Sequence, residues 1–187
     1  MSQPGGRAPA PPNLVLAQDL ANTIDIEMAR DALSSPVEVA AFAGAHGIPG
    51  VFSRRDLVRL RNFRERLRDV CGAHAGFDPP EHAIAQFNEA MEAAPLVITA
   101  ALDGSASYAP APHLKGLQGL LGEVAAGIAR AIADGSWTRL KACEADSCRW
   151  VYYDRSPAGR SRWCTMKICG SRAKVRAYRA RSRGGKR

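Results

Sequence analysis

The sequence predicts an α+β chain, mostly α: a helical domain with one β-hairpin, followed by a small module in which a second hairpin and a helix surround four cysteines. Three observations predict this. Apolar residues recur at three- and four-residue steps through most of residues 14–138. The β-branched run "LVITA", followed by Asp103-Gly104, interrupts that periodicity with a hairpin signal. Four of the five cysteines then fall late in the chain, in two pairs of equal spacing.

The elements follow in order. Residues 1–13, "MSQPGGRAPAPPN", are rich in Pro, Gly and Ala, lack the apolar core of a signal peptide, and read as a disordered leader. Leu16, Leu20 and Ile24 stand four apart and predict a helix from Leu14; the polar "DIEMARD" after it reads as irregular. Ser35 as N-cap, Pro36 in the first turn and Glu38 closing a capping box open a second helix, which Gly47 stops. Ser53 and Asp56 cap a third. Its inner face is Leu57, Leu60, Phe63 or Arg64, Leu67, Val70 and Cys71, and "RRDLVRLRNFRERLRD" supplies its solvated face. Asp78-Pro79 begins a fourth helix, with Ile84, Phe87 and Met91 inward. "LVITA" and "SASYAP" form the hairpin. A helix over 112–133 then carries Leu114, Leu117, Leu121, Val124, Ile128 and Ile132, with Gly135 ending it and Trp137 packing in the linker.

Composition narrows the function. Hydrophobic residues make up 46% of the 187, enough for a core, and the net charge is +8. From Arg139 onward there are 15 Lys and Arg against 3 Asp and Glu, while the front part is net acidic. An acidic front and a basic end suggest two jobs and a polyanionic partner. No run of about 18 apolar residues exists, so no membrane partner and a cytoplasmic location are expected. There thiols stay reduced, and paired cysteines are better read as metal ligands than as disulfides.

Cys143 and Cys148 have four residues between them, as do Cys164 and Cys169, and 15 separate the pairs. This spacing matches a closed tetrahedral site for one structural zinc ion. With all four positions taken by sulfur, no place remains for a reactive water, which argues against zinc hydrolysis. A redox dithiol is a weaker alternative because such pairs favour a two-residue gap, and an iron–sulfur cluster is weaker still. "RLKAC" and "RWVYYD" should pair as a hairpin with "DRSPAGR" as a turn, Trp150 and Trp163 shielding the ion, and Ser171 as N-cap of the helix that follows. The module spans 139–183, after the helical domain at 14–138, and residues 184–187 are a basic tail.

On that helix Arg172, Arg176, Arg179 and Arg183 share an arc of about 60°. With Lys174, Arg160 and Arg162 they are the candidate nucleic-acid contacts. Ala173, Ala177 and Ala180 form a neighbouring narrow face, and Val175 and Tyr178 lie on the other side, so the inward face stays open. Contact with a protein or another anion, or a merely solvated face, are the alternatives. A basic stripe predicts phosphate contacts, not sequence specificity.

The residues at this point resemble a known family. Cys143, Cys148, Trp150, Tyr152 and Asp154, then Ser161, Arg162, Trp163, Cys164, Thr165, Met166, Cys169, Gly170, Ser171, Arg172, Ala173 and Lys174, follow the pattern of the CGNR zinc finger. The departure is Ser171, where the family has Asn. The front part, with "LAQDLANTID" and then "SSPVEVAAFAGAHG", resembles the ABATE domain that commonly precedes this finger. The resemblance implies a bacterial, stress-related transcription regulator whose finger binds DNA.

Cys71 reads as a small buried hydrophobe. Asp19 and Asn22 stand three apart on the first helix and, with His46, are candidates for a ligand pocket; hydrogen bonding within the bundle is the competing reading. The expected function is zinc-dependent DNA binding in transcription regulation, with a front domain that senses a small-molecule effector or forms a homodimer. The alternative is a ligand-binding or protein-interaction module in which zinc is purely structural. An enzyme is not expected, since no nucleophile–base pair, phosphate loop or open metal site is visible.

Overall fold

A computed structural model of the chain describes residues 3 and 6–184, with side chains described through Ser182. Helix α1 (Pro12–Ala21) lies on α5 (Gly116–Ala133) and is flanked by α3 (Arg54–Ala73). The approach of α1 to α5 is closest at Gly127, where a Cβ would stand 2.2 Å from the carbonyl oxygen of Asn13. Helix α2 (Pro36–Ala45) packs on α3, and α4 (Glu81–Glu92) bridges α3 and α5. The core is filled by Leu14 and Leu20 of α1, Leu60 and Leu67 of α3, and Leu120 and Val124 of α5, all essentially without exposure.

One capping box forms as read and the other only in part, since the Glu38 carboxylate takes the Ser34 N–H and hydroxyl rather than closing on Ser35. Ser35 Oγ accepts the Glu38 N–H at the start of α2, and Ser53 and Asp56 form a reciprocal capping box at the start of α3. The hairpin β3 (Leu96–Ala100) and β4 (Ala106–Pro110) pairs Leu96 with Pro110 through Ala100 with Ala106.

Four expectations change. "DIEMARD" is not irregular throughout: Ile24–Asp25 (β1) and Arg30–Asp31 (β2) pair as a small antiparallel hairpin. Helix α5 starts at Gly116 rather than 112, because Ala111–Leu114 closes a turn first. The long "RRDLVRLRNFRERLRD" face is not all solvated. Arg64 forks onto Asp31 at 2.7 and 3.1 Å and reaches Thr23 Oγ1, while Arg68, 1% exposed, donates to the Ala21 carbonyl at the end of α1. These two cations satisfy groups that a helix end and a hairpin leave over. Finally, the leader is not free from Gly6 onward. Arg7 donates to the carbonyls of Tyr153 and Trp163 and lies 4.7 Å over the Tyr152 ring, and Pro9 accepts from Arg155. Residues 1–2 and 4–5 of the leader and 185–187 of the basic tail lie outside the described residues.

The late module is built on β5 (Leu140–Ala142) and β6 (Val151–Tyr153), antiparallel with Lys141 opposite Tyr152. Leu140, Ala142 and Val151 belong to the same buried cluster as the front helices. Trp137, in a single tight turn before β5, packs on that cluster and edge-on against His74. The sequence divides the chain in two, but its hydrophobic core is continuous across the division.

Candidate metal centre

Past the β5–β6 ladder the Cys143 N–H donates to the Trp150 carbonyl, so the strands stay paired up to the first cysteine. The Cys148 and Arg149 N–H groups then both donate to the Ala145 carbonyl, at 2.8 and 2.9 Å. This tight curl puts Arg149 at φ +48° and turns Cys143 and Cys148 to the same side. Arg149 is held there by Asp69 of α3 at 2.7 Å.

The second pair is set by a wide, π-type turn over Met166–Gly170 that runs directly into α6 (Ser171–Gly184). Thr165 caps it, its Oγ1 accepting the Ile168 N–H at 3.1 Å. Ser171 is therefore not the N-cap expected from sequence. It sits at helical φ −66° and ψ −43°, and its hydroxyl donates to the Met166 carbonyl. The helix begins a turn earlier because Cys169 has to be wound inward to meet the other three sulfurs. Met166 lies over Gly170 in the same turn, and a Cβ there would stand 2.8 Å from Met166 Sδ, so the methionine would have to move aside.

The four Sγ atoms all lie within 4.8 Å of one another, and Cys148–Cys164 and Cys164–Cys169 are each 3.6 Å apart. A tetrahedral ion with metal–sulfur bonds of about 2.3 Å requires sulfur–sulfur edges of about 3.8 Å. A disulfide needs about 2.05 Å, and the cysteines are free. The donor set thus fits one tetrahedral, thiophilic ion. Protons alone do not stabilise four thiolates here. Hydrogen bonds from Cys148 and Cys164 hold the Cys143 thiol well below its ordinary pKa, and the same bonds push the Cys164 thiol far up. A dication removes that conflict. Cys143, Cys164 and Cys169 are buried, and Tyr152, Trp150 and Trp163 pack around them as the shield expected of the two tryptophans.

Behind the site a buried ion pair pins the 154–161 loop. Lys141 Nζ meets Asp154 Oδ2 at 3.1 Å, with side chains 5% and 0% exposed, and also donates to the Gly159 carbonyl. Asp154 accepts the Ser156 and Ser161 N–H groups as well. Burial works to raise its pKa, but these hydrogen bonds and Lys141 outweigh it and hold the carboxyl well below the usual range. Asp154 followed by Ser156 is an Asx-turn signature that the sequence offers; Lys141 inside a hairpin gives no such signal.

The basic residues are placed unequally. Arg162 pairs with Glu144 and stacks over Trp163, and Arg172 pairs with Glu27 of the β1–β2 turn at 2.8 Å. Arg160, Lys174, Arg176 and Arg179 are exposed, with no ion pair among the described residues. The Arg183 side chain lies outside the described residues. Neither face of α6 packs inward: beyond the turn that carries Cys169 the helix stands in solvent, with Val175 and Tyr178 48% and 67% exposed.

The candidate pocket residues are engaged with other protein groups. Asn22 is directed at Val151 of β6, giving it a donor and an acceptor, which is the hydrogen-bonding reading. Asp19 and His46 meet each other, Nε2 to Oδ2 at 3.5 Å. Cys71 is fully buried, and burial pushes its thiol up to about 12, as suits a core residue.

Comparison with known families agrees with this geometry. Residues 139–182 match the family model "CGNR zinc finger", and residues 14–135 match ABATE, described as "Putative stress-induced transcription regulator". The chain belongs to the ABATE family and carries a CGNR zinc finger. No match was found among curated proteins. Within the finger match, Ser171 stands in the position that names the family, and its side chain returns to Met166 rather than outward. No helix among the described residues is long and apolar enough to cross a membrane.

Proposed function

We propose that this chain is a zinc-dependent nucleic-acid-binding protein, a bacterial DNA-binding transcription regulator whose single zinc ion is structural and whose front domain senses a small-molecule effector or dimerises. The observation that carries this is α6. It leaves the metal-holding turn largely exposed, with Lys174, Arg176 and Arg179 free of ion-pair partners among the described residues. Cations on a solvated helix anchored by a rigid turn suit phosphate contacts, and Arg160 and Arg162 are further candidates for them. Self-association would fall to the β3–β4 hairpin, where Ile98 is 81% exposed.

The test is a salt titration of binding to a short labelled duplex, with single-stranded RNA of the same sequence alongside. Affinity for the duplex should fall with salt at a log–log slope of about 0.9 per phosphate contact. Replacing Arg172, Arg176 and Arg179 together by Ala should weaken binding and flatten the slope by about 2 to 3. An unchanged affinity and slope would defeat the reading.

A second reading has its own observation. Ile168 and Val175 line a shallow groove of about 540 Å³ on α6 beside Arg172, Arg176 and Arg179. A helix reading phosphates alone has no use for that apolar floor, and an acidic protein segment does. Salt-insensitive or absent duplex binding favours this interaction module.

A further inference from the structure

The β3–β4 hairpin leaves one edge open. The Ala101 N–H donates to the Ser105 carbonyl at 2.8 Å and the Ala111 N–H to the Pro95 carbonyl at 3.0 Å, so the bonded pairs between the strands are Val97 with Ala109 and Thr99 with Ser107. Leu96, Ile98 and Ala100 alternate with them and turn their N–H and C=O groups away from β4. None of these groups has another hydrogen-bond partner among the described residues. The opposite edge is not equivalent: β4 is the strand that packs on α5, and Pro110 brings no N–H to it.

Free strand edges are ordinarily guarded by charge, proline or a bulge. The run "LVITA" of β3 contains none of these. Ile98 stands opposite Tyr108, on the face that sets Pro110 against Gly122 of α5. It is nevertheless 81% exposed, because β3 reaches past the helix.

We propose that β3 is a dimerisation edge: two copies of this chain pair antiparallel through β3, about a two-fold axis at Ile98, and make one four-stranded sheet. The register follows from the free groups. With Ile98 opposite Ile98 of the second copy, Leu96 falls opposite its Ala100, and each pair exchanges two hydrogen bonds. A slip of two residues leaves an outward-facing residue without a partner. The two Ile98 side chains then cover one another on the α5 side of the sheet.

A two-fold interface puts the same surface on both sides, so its edge must complement itself. This one does in charge as well as in hydrogen bonding. Asp103 is the only charged residue from Ala93 to Pro112. The antiparallel axis keeps the two Asp103 roughly 30 Å apart, beyond the screening length of about 8 Å, whereas parallel strands would bring them together. Five residues make a small interface, short of the about 1,200 Å² of stable complexes, so the dimer has a Kd on the order of 0.1 mM. This deepens the dimerising form of the proposed function and rests on it; each dimer would carry two α6 arms.

The test is sedimentation equilibrium of the zinc-loaded full chain from about 10 μM to about 1 mM, with amide hydrogen exchange at both ends of that range. A reversible monomer–dimer equilibrium is expected. Protection of the Leu96, Ile98 and Ala100 amides should rise with concentration, while Val97 and Thr99 stay protected throughout. Ile98→Lys sets like charges together at the axis, and Ile98→Pro removes an N–H that β4 does not use, so both keep the hairpin. Each should weaken the dimer by about tenfold or more. A monomer throughout the range overturns the proposal. So does a dimer that both variants leave intact, or one that leaves the three amides unprotected. Because no nucleic acid is present, a missing dimer leaves the duplex titration standing, and failed duplex binding leaves the dimer standing.

Discussion

The side-chain amide of Asn22 pairs with both backbone groups of Val151, donating Nδ2–H to its carbonyl at 2.7 Å and accepting its N–H at Oδ1 at 2.8 Å. A single side chain at the C-cap of α1 thereby acts as one more partner for strand β6 of the finger. Gln18, a turn earlier, reinforces it from Nε2 and accepts the Ala10 N–H at Oε1.

Asn22→Ala should therefore destabilise the chain by about 1–3 kcal/mol, because the buried Val151 N–H loses its acceptor and its carbonyl keeps only the longer bond from Gln18. Asn22→Asp should also destabilise, since a carboxylate accepts the N–H but faces the carbonyl without a proton. Urea denaturation of the metal-loaded protein checks both; a loss below a few tenths of a kcal/mol for Ala would mean that Val151 is satisfied by other means.

Removing the metal should separate two regions. Structural zinc in small fingers contributes about 10–16 kcal/mol of apparent folding free energy. Here the hairpin face Leu140, Ala142 and Val151 is held by the front core, whereas α6 is held mainly through the turn that carries Cys169, with the exposed Arg172–Glu27 pair beside it. Chelation, or Cys164→Ser, should expose 164–183 to proteolysis and leave 140–153 protected, while the far-ultraviolet signal of α1–α5 persists. Equal protection of both regions without metal would contradict this. The metal-loaded state should also be lost as pH falls, because protons compete for the thiolates.

The Lys141–Asp154 pair predicts a pH signature. The Asp154 carboxyl is depressed in the folded chain, so its contribution is fully present above the ordinary carboxylate range and is lost as pH falls toward the folded value. Asp154→Asn should flatten the decline in stability below about pH 4. Asp154→Ala should cost about 3–5 kcal/mol, since it leaves Lys141 charged and buried without a counter-ion. Thermal melts across pH check the sign, and a steeper acid decline in the Asn variant would refute it.

Gly127→Ala should force α1 off α5, because the added carbon would sit 2.2 Å from the Asn13 carbonyl oxygen. Overpacking of this kind costs about 1–3 kcal/mol. Equilibrium unfolding measures it, and a neutral or stabilising result would show that the two helices are not in the contact described.

The elements visible in sequence were those with local causes. Ser35 with Glu38, Ser53 with Asp56, and Asp103-Gly104 each announce their structure within a few residues. The cysteine spacing announces the cluster for the same reason. What stayed hidden depends on residues far apart in the chain. Arg68 looks like surface charge until the end of α1 is brought to it, and nothing near Arg64 in sequence names Asp31 as its partner. Asn22 reads as hydrogen-bonding within the bundle, but its partner Val151 lies 129 residues away, and Arg7 looks like leader until Tyr152 stands beneath it. Ser171 carries the local signal of an N-cap, but a cysteine ligand pulls the helix start back to Thr165, a tertiary demand that outranks the local capping preference.

The isolation of α6 has a mechanical consequence. Its 14 residues form a rod of about 21 Å, fixed at one end only. A tilt of about 10° at the Cys169 turn would swing the free end by about 4 Å, close to the reach that separates a made contact from a missed one. Angular stiffness at its base, more than the number of its charges, sets how sharply this arm can aim, and four sulfurs closing on one point are the means by which a short chain makes such a hinge rigid.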